Sequence, residues 1–161
     1  MKLFIVEGTH CSGKTTMINQ LNHIDIIHEN FIELEAPSKV KSLIWLSNWI
    51  TSVIDKKKNG CKLLITDRGP ISSFVYDSYI SSEIINRTFD SLKNENIEII
   101  NIYVINPPIS EHYKRIINRN GPLKDIELKN LEIVRDKYDL LCSNYIKISN
   151  IDELKKLIYE H

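Results

Sequence analysis

The 161-residue sequence has few of the residues that mark specialised protein classes, with only three cysteines, five glycines and five prolines. Cys11, Cys61 and Cys142 lie far apart and show no metal-ligand spacing, which indicates reduced thiols and a cytoplasmic protein. No apolar run approaches the roughly 20 residues of a membrane-spanning helix. The run LFIV near the start is too short for a signal peptide.

Net charge is also absent, because 21 basic residues balance 21 acidic ones. This balance argues against a broad nucleic-acid-binding surface, although a local basic groove is compatible with it. Hydrophobic residues make up 42% of the chain and charged residues 26%, as in ordinary globular proteins. The length suffices for a continuous core, so we expect a single domain over residues 1–161.

Short apolar runs alternate with longer helical patterns along the chain. The predicted strands span 3–7, 24–28, 62–66, 97–105 and 145–148. The predicted helices lie near 14–22, 39–58, 82–94, 110–119, 124–143 and 151–159. This alternation predicts an α/β fold in which helices cover both faces of a five-stranded parallel sheet. The continuous apolar runs LFIV and LLIT are typical of strands buried on both sides.

The segment GTHCSGKTT follows the first predicted strand and fits the pattern G-x-x-x-x-G-K-[ST]. Its glycines let backbone N–H groups wrap around phosphate oxygens, and the next helix adds its positive N-terminal end. We therefore predict a loop that binds the phosphates of ATP. Lys14 would reach the β and γ phosphates, and the Thr15 hydroxyl would bind Mg²⁺. The predicted loop residues are Gly8, Thr9, His10, Cys11, Ser12, Gly13, Lys14, Thr15 and Thr16.

Asp67 and Arg68 follow the third predicted strand. In a doubly wound sheet, ligands bind beyond the carboxyl ends of the strands, so both side chains are expected in the cleft. Asp67 would hold Mg²⁺ or its waters, and Arg68 a phosphate or an acceptor oxygen. Taken alone, the dipeptide is equally compatible with a surface ion pair.

Arg115 and Arg119 are four residues apart and share a face of the fifth predicted helix. Two guanidinium groups that close over a γ-phosphate would stabilise phosphoryl transfer and exclude water. Basic residues near a helix end also favour the helix dipole, which is the alternative interpretation. Glu35 follows the second predicted strand and could deprotonate an acceptor hydroxyl, or be an acid placed before a helix.

The helix near 39–58 has two features that bear on the acceptor. A core stripe is predicted at Leu43, Leu46, Ile50, Val53 and Ile54. Trp45 and Trp49 share a neighbouring face, where they would stack on a nucleobase or pack against another helix. Tyr76, after the Asp-Arg pair, would reach the acceptor base or sugar, or pack with its apolar neighbours.

Taken together, these segments resemble the thymidylate kinase and deoxynucleoside kinase group of P-loop phosphotransferases. The first strand and phosphate loop of that group resemble FIVEGTHCSGKTT, and its Asp-Arg motif resembles TDRGPISSFVYD. Its fourth strand and arginine-bearing lid resemble IYVINPPISEHYKRIINRNG, and the helix before its last strand resembles LEIVRDKYDLLCSNYIKISN. The resemblance implies a kinase that uses ATP and Mg²⁺, a lid near 115–125 and a homodimer.

The same resemblance implies roles for individual residues. Lys14, Arg115 and Arg119 would attend the donor phosphates, Thr15 and Asp67 the Mg²⁺, and Arg68 the acceptor. Glu35 matches the base of deoxynucleoside kinases, although Ala36 separates it from Pro37.

The acceptor predicted from these features is a nucleoside monophosphate, as in thymidylate kinases. Two departures from that family are Leu34, where it has an arginine, and His10, where it often has a carboxylate. An alternative is a deoxynucleoside or polynucleotide 5′-hydroxyl, with Glu35 as the base. A further alternative is a nucleotide-binding regulatory protein without catalysis.

Overall fold

The computed structural model describes residues 1–29, 37–76, 80–122 and 124–160. Five strands form one sheet in the order β2-β3-β1-β4-β5, and every pair in it is parallel. The predicted α/β fold with a five-stranded parallel sheet is therefore confirmed. The strands are β1 (Lys2–Glu7), β2 (Asp25–Ile27), β3 (Leu63–Asp67), β4 (Glu98–Val104) and β5 (Ile146–Ile148).

Helices connect the strands and cover the sheet. They are α1 (Lys14–Ile18), α2 (Ser38–Lys58), α3 (Pro70–Tyr76), α4 (Ser82–Asn94), α5 (Ile109–Asn120), α6 (Asp125–Leu141) and α7 (Ile151–Glu160). Six of them match predicted helices, although α1 is shorter than expected. The sequence did not predict α3, whose seven residues PISSFVY are mostly buried and show no polar face. None of the described helices combines the length and apolar character needed to cross a membrane.

The core lies on both faces of the sheet. Phe4 and Val6 point to one face, where they pack with residues of α1 and α7. Leu3 and Ile5 point to the other face and pack with residues of α2 and α4. Successive side chains of a strand alternate between faces, so a central strand covered on both sides must be apolar throughout. This explains the continuous run LFIV.

The predicted core stripe of α2 is wrong at one end. Leu46 and Val53 are buried as expected, but Leu43 is 51% exposed. Trp49 is only 5% exposed and takes part in the core. A tryptophan buries more apolar area than a leucine, so the helix turns this side chain toward the sheet.

The sheet register brings three strand ends together. Val6 of β1 lies beside Asp67 of β3, and Ile27 of β2 lies beside Thr66 of β3. The segments that follow these strands therefore meet at one edge of the sheet. The phosphate-binding motif, the Asp-Arg pair and Glu29 converge at this edge.

Candidate active site

The predicted phosphate loop has a closed and ordered geometry. Gly8 has φ +150°, and a Cβ there would lie 3.1 Å from the Val104 carbonyl oxygen, so a side chain would strain the backbone and require its neighbour to shift. The Lys14 side chain folds over the loop, and its Nζ donates to the Thr9 carbonyl at 2.8 Å. Burial, reinforced by nearby Arg68, lowers the pKa of Lys14 to about 7. The loop is thus held by contacts within the protein.

Thr15 and Asp67, the two residues predicted to bind Mg²⁺, lie side by side. The Thr15 hydroxyl donates to Asp67 Oδ2 at 2.5 Å. Asp67 is 5% exposed, and its other oxygen, Oδ1, has no hydrogen-bond partner within the described residues. A buried carboxylate oxygen without a partner requires compensation, which a cation or its waters would supply. Mg²⁺ is commonly held by one or two carboxylates, with phosphate and water oxygens completing its shell, so these residues fit it.

Arg68 is buried at the centre of the site and is held from several sides. Its Nε donates to Glu29 Oε2 at 2.6 Å, and its Nη1 donates to the Gly8 carbonyl at 3.0 Å and to Tyr138 Oη at 2.8 Å. The guanidinium also lies over the Tyr76 ring, 5.0 Å from its centroid. The charge of Arg68 is therefore compensated by Glu29, and its position is fixed by the protein.

The backbone of Arg68 adopts φ +78°, a left-handed conformation that is uncommon outside glycine. Trp49 Nε1 donates to its carbonyl at 3.2 Å. On its other side, Glu7 accepts from the Gly69 N–H at 2.9 Å and from the Ser72 hydroxyl at 2.6 Å. Burial raises the pKa of Glu7 to about 7. These bonds hold the strained turn that aims the guanidinium into the cleft.

Glu29 is a site residue that the sequence analysis missed. It follows β2 by two residues, and its side chain is 17% exposed. Burial raises its pKa, and the ion pair with Arg68 opposes that effect. The predicted base, Glu35, lies outside the described residues. The predicted strand ended at His28, so Glu29 directly follows it, and the rule that ligands bind beyond strand ends could have identified this residue.

The cleft consists of two adjoining cavities. The first has a volume of about 300 Å³ and is lined by His10, Cys11, Gly13, Lys14, Thr15, Thr16, Glu29, Asp67, Arg68, Arg115 and Arg119. The second has a volume of about 170 Å³ and is lined by Ile27, His28, Glu29, Trp45, Asn48, Trp49, Ser52 and Asp67. We call them the donor cavity and the acceptor cavity. Glu29 and Asp67 belong to both and mark their boundary.

The two arginines of α5 face the donor cavity from above the loop. Arg115 Nη1 donates to the Ser12 carbonyl at 3.3 Å, and Arg115 also pairs with Glu111 on its own helix. Arg119, one turn further along, lines the same cavity. The spacing of four residues thus places both side chains on the cleft side, and their roles stay predictions.

The remaining predicted residues divide into three groups. Trp45 is partly buried and Trp49 is buried, and both line the acceptor cavity. Tyr76 is not among the residues lining that cavity, because its hydroxyl accepts from the His10 N–H at 3.2 Å and its ring contacts Arg68. Thr9 and Ser12 are buried residues of the loop and do not line either cavity.

No protein-family model matches the chain, and no curated protein matches it in sequence. Solved structures do match. One is a deoxyadenosine kinase from M. mycoides with the products dCMP and a flexible dCDP bound, with a TM-score of 0.60 and 16% identity over 99% of this chain and 97% of that chain. A structure of deoxyadenosine kinase from M. mycoides with bound dATP gives a TM-score of 0.56 and 16% identity over 99% and 98% of the two chains.

The chain has the same fold as these deoxyadenosine kinase structures. The resemblance drawn from the sequence is therefore confirmed at the level of the fold. Identity of 16% carries no information on the acceptor of this chain, which has to be argued from its own cleft.

Proposed function

We propose that this protein is a kinase that transfers the γ-phosphoryl group of ATP to the 5′-hydroxyl of a deoxynucleoside. The observation that carries the proposal is the position of Glu29. Its carboxylate lies at the boundary of the donor and acceptor cavities and is fixed by Arg68. A hydroxyl is a poor nucleophile at neutral pH, and a carboxylate at this boundary is suited to accept its proton.

The donor side of the proposal uses the phosphate loop. Backbone N–H groups and Lys14 bind the triphosphate, and Arg115 and Arg119 neutralise charge on the transferred group. Thr15 and Asp67 would hold Mg²⁺, which supplies further charge neutralisation at the β and γ phosphates. The whole chain acts in this proposal as one kinase domain, in which the segment near 115–125 is the lid.

The acceptor side supplies position and a base. A nucleoside would enter the acceptor cavity beside Trp45, whose ring can stack on the base, and Asn48, whose amide can hydrogen-bond with it. Glu29 accepts the proton of the 5′-hydroxyl while that oxygen bonds to the γ-phosphorus. The bond from the γ-phosphorus to the β-phosphate oxygen breaks, and ADP leaves. Most of the acceleration comes from positioning the two reactants.

The monophosphate acceptor predicted from the sequence requires a different charge distribution. A phosphate group carries two negative charges near neutral pH and needs cations that are not already paired. In the described part of the cleft, Arg68 is paired with Glu29, and Glu29 and Asp67 place two carboxylates at the acceptor cavity. Like-charge repulsion therefore disfavours a monophosphate there, and a neutral nucleoside is the better acceptor.

The test is ADP production with Mg·ATP and a panel of acceptors: the four deoxynucleosides, their 5′-monophosphates and a 5′-hydroxyl oligonucleotide. The expected result is stimulation by at least one deoxynucleoside and recovery of its 5′-monophosphate. Stimulation by monophosphates alone would restore the thymidylate kinase-like hypothesis. ATP hydrolysis that no acceptor stimulates would support a regulatory protein instead. A Lys14→Met variant controls for contaminating kinases.

A further inference from the structure

A buried histidine joins the lid helix to the phosphate loop. His112 of α5 is fully buried, and its Nε2 lies 2.6 Å from the carbonyl oxygen of His10. Its other ring nitrogen, Nδ1, lies 2.7 Å from Nη1 of Arg135 on α6. Both ring nitrogens of His112 thus have polar partners. The sequence pattern predicted no role for His112 or for Arg135.

The two contacts fix the protonation state of the ring. Arginine only donates hydrogen bonds, so Nδ1 must be the acceptor and carry no proton. The proton of the neutral ring is therefore on Nε2, which donates to the His10 carbonyl. Arg135 is itself held in place because the same Nη1 donates to the Pro107 carbonyl at 3.0 Å.

A neighbouring contact agrees with this assignment. Nε2 of His112 also lies 3.4 Å from Thr9 Oγ1. The Thr9 hydroxyl donates its own proton to Asn106 Oδ1 at 2.5 Å, so it is free only to accept from the histidine. Thr9 and His10, two consecutive residues of the phosphate loop, thus both accept a hydrogen bond from the Nε2–H of His112.

The hydrogen bond from His112 to the His10 carbonyl determines where the N–H group of Cys11 points. In a planar trans peptide, the carbonyl of His10 and the N–H of Cys11 point in opposite directions. His112 holds that carbonyl on the protein side, so the Cys11 N–H is directed to the opposite side, and Cys11 lines the donor cavity. Cys11 adopts φ +58°, a conformation that a non-glycine residue keeps only when its surroundings hold it.

We infer that His112 is a positioning residue of the donor site, held by Arg135 in the Nε2–H tautomer so that it presents the Cys11 N–H to the phosphates of ATP. The inference rests on the proposed function only in taking ATP as the ligand of the loop. It is independent of which acceptor is phosphorylated.

Protonation of His112 opposes this arrangement. A second ring proton on Nδ1 would face the guanidinium of Arg135, and the other charged or titratable groups around the ring are Arg115, Lys14 and His10. Burial is the main cause that lowers the pKa of His112, and the nearby cations add to it. At acidic pH the charged ring therefore loses its hydrogen bond from Arg135 and is repelled by the guanidinium, which displaces the ring from the His10 carbonyl.

The experiment measures Mg·ATP affinity by calorimetry between pH 5 and pH 8 in four variants of the full chain. His112→Leu removes the hydrogen-bond donor to the His10 carbonyl, whereas His112→Gln places an amide N–H near the position of Nε2. Arg135→Met removes the cation, and Arg87→Met is its control, because the Arg87 side chain is 79% exposed and pairs with Glu83 of the same helix. Melting temperatures are recorded for each variant.

We expect His112→Leu to weaken Mg·ATP binding about tenfold at pH 8, the factor that corresponds to one hydrogen bond to the ligand, and His112→Gln to restore most of it. Arg135→Met removes both the donor that fixes the tautomer and the cation that would repel the charged ring, so its affinity should be lower at pH 8 and should lack the acidic loss of the wild type. His112→Gln lacks this acidic loss. Arg87→Met behaves as the wild type.

Three results would overturn the inference: unchanged affinity in a folded His112→Leu variant, an Arg135→Met profile identical to that of Arg87→Met, or wild-type protein that binds no Mg·ATP. If His112→Leu does not fold, the Arg135→Met profile decides. The kinase proposal fails separately. Wild-type protein that binds Mg·ATP with these profiles but phosphorylates no nucleoside would contradict the kinase and leave the role of His112 in place.

Discussion

Glu29 Oε2 lies 2.6 Å from Nε of Arg68, and this ion pair connects the ends of β2 and β3 at the boundary of the two cavities. The pair fixes the carboxylate where an acceptor hydroxyl would meet the γ-phosphate. The pair also neutralises the charge of Arg68, the most buried arginine of the cleft. The acceptor side therefore offers a base rather than a cation that could bind a phosphate.

Glu29→Gln should therefore lower kcat by roughly 10²- to 10⁴-fold, the usual contribution of a general base. Mg·ATP affinity should change little, because Glu29 is not needed to hold the donor phosphates. Steady-state kinetics with the best deoxynucleoside and calorimetry with Mg·ATP measure the two quantities. Glu95→Gln is the matched control, since its side chain is 61% exposed and distant from the cleft.

Glu35→Gln tests the base predicted from the sequence in the same assay. If Glu35→Gln abolishes turnover while Glu29→Gln retains it within tenfold, Glu29 is not the base. If both are mild, the acceptor does not need one, as expected for a monophosphate.

Asp67→Asn should raise the Mg²⁺ concentration needed for half-maximal activity roughly tenfold or more, as loss of a residue that orients a metal commonly does. The reason is that Oδ1 of Asp67 is buried without a described partner, while Oδ2 accepts from the Thr15 hydroxyl. Activity is titrated with Mg²⁺ at fixed ATP. Binding of ADP without metal should stay within a few-fold of the wild type.

The control for this substitution is Asp90→Asn, because Asp90 lies on the surface and pairs with Lys93. An Asp67→Asn variant with an unchanged Mg²⁺ requirement would remove Asp67 from the metal site and leave its buried oxygen unexplained.

The sequence predicted the donor side better than the acceptor side, and the reason is physical. The phosphate loop directly follows β1, and Asp67-Arg68 lies at the end of β3; both strands have apolar runs that are easy to recognise, so these positions are set by local pattern. Glu29 follows β2, an edge strand of three residues with a weak pattern, and its partner Arg68 is 39 residues away. His112 and Arg135 were missed because only tertiary packing brings α5, α6 and the loop together.

Glu7→Gln should change how stability depends on pH. Burial raises the pKa of Glu7 from 4.5 to about 7 in the folded protein, so the fold favours the protonated carboxyl. Its stabilising contribution is complete below pH 4.5 and is lost as the pH rises through about 7. Glutamine does not titrate, so the free energy of unfolding of the wild type should fall relative to the variant across this range, by roughly 3 kcal/mol at most.

Urea denaturation at pH 5 and pH 8 measures this difference. Glu98→Gln, at an exposed position of β4, shows how much the free energy of unfolding changes when an exposed carboxylate is replaced. A difference between wild type and Glu7→Gln that is equal at both pH values would mean that Glu7 stays ionised in the fold, held by the N–H groups of Gly69 and Ser72 and by Arg68.

The fluorescence of the two tryptophans of the chain should respond differently to nucleoside binding, because their surroundings differ. Trp49 is 5% exposed and bonded to the Arg68 carbonyl, whereas Trp45 is partly buried beside the acceptor cavity. A base that stacks on Trp45 changes its emission. Titration of Trp49→Phe with the best deoxynucleoside should therefore keep most of the fluorescence change, and Trp45→Phe should lose it. Trp49→Phe should also lower the free energy of unfolding by about 1–3 kcal/mol, because the Arg68 carbonyl loses its donor. If Trp45→Phe keeps the full signal and the nucleoside affinity, the acceptor base does not contact Trp45, and this face of α2 only packs against its neighbours.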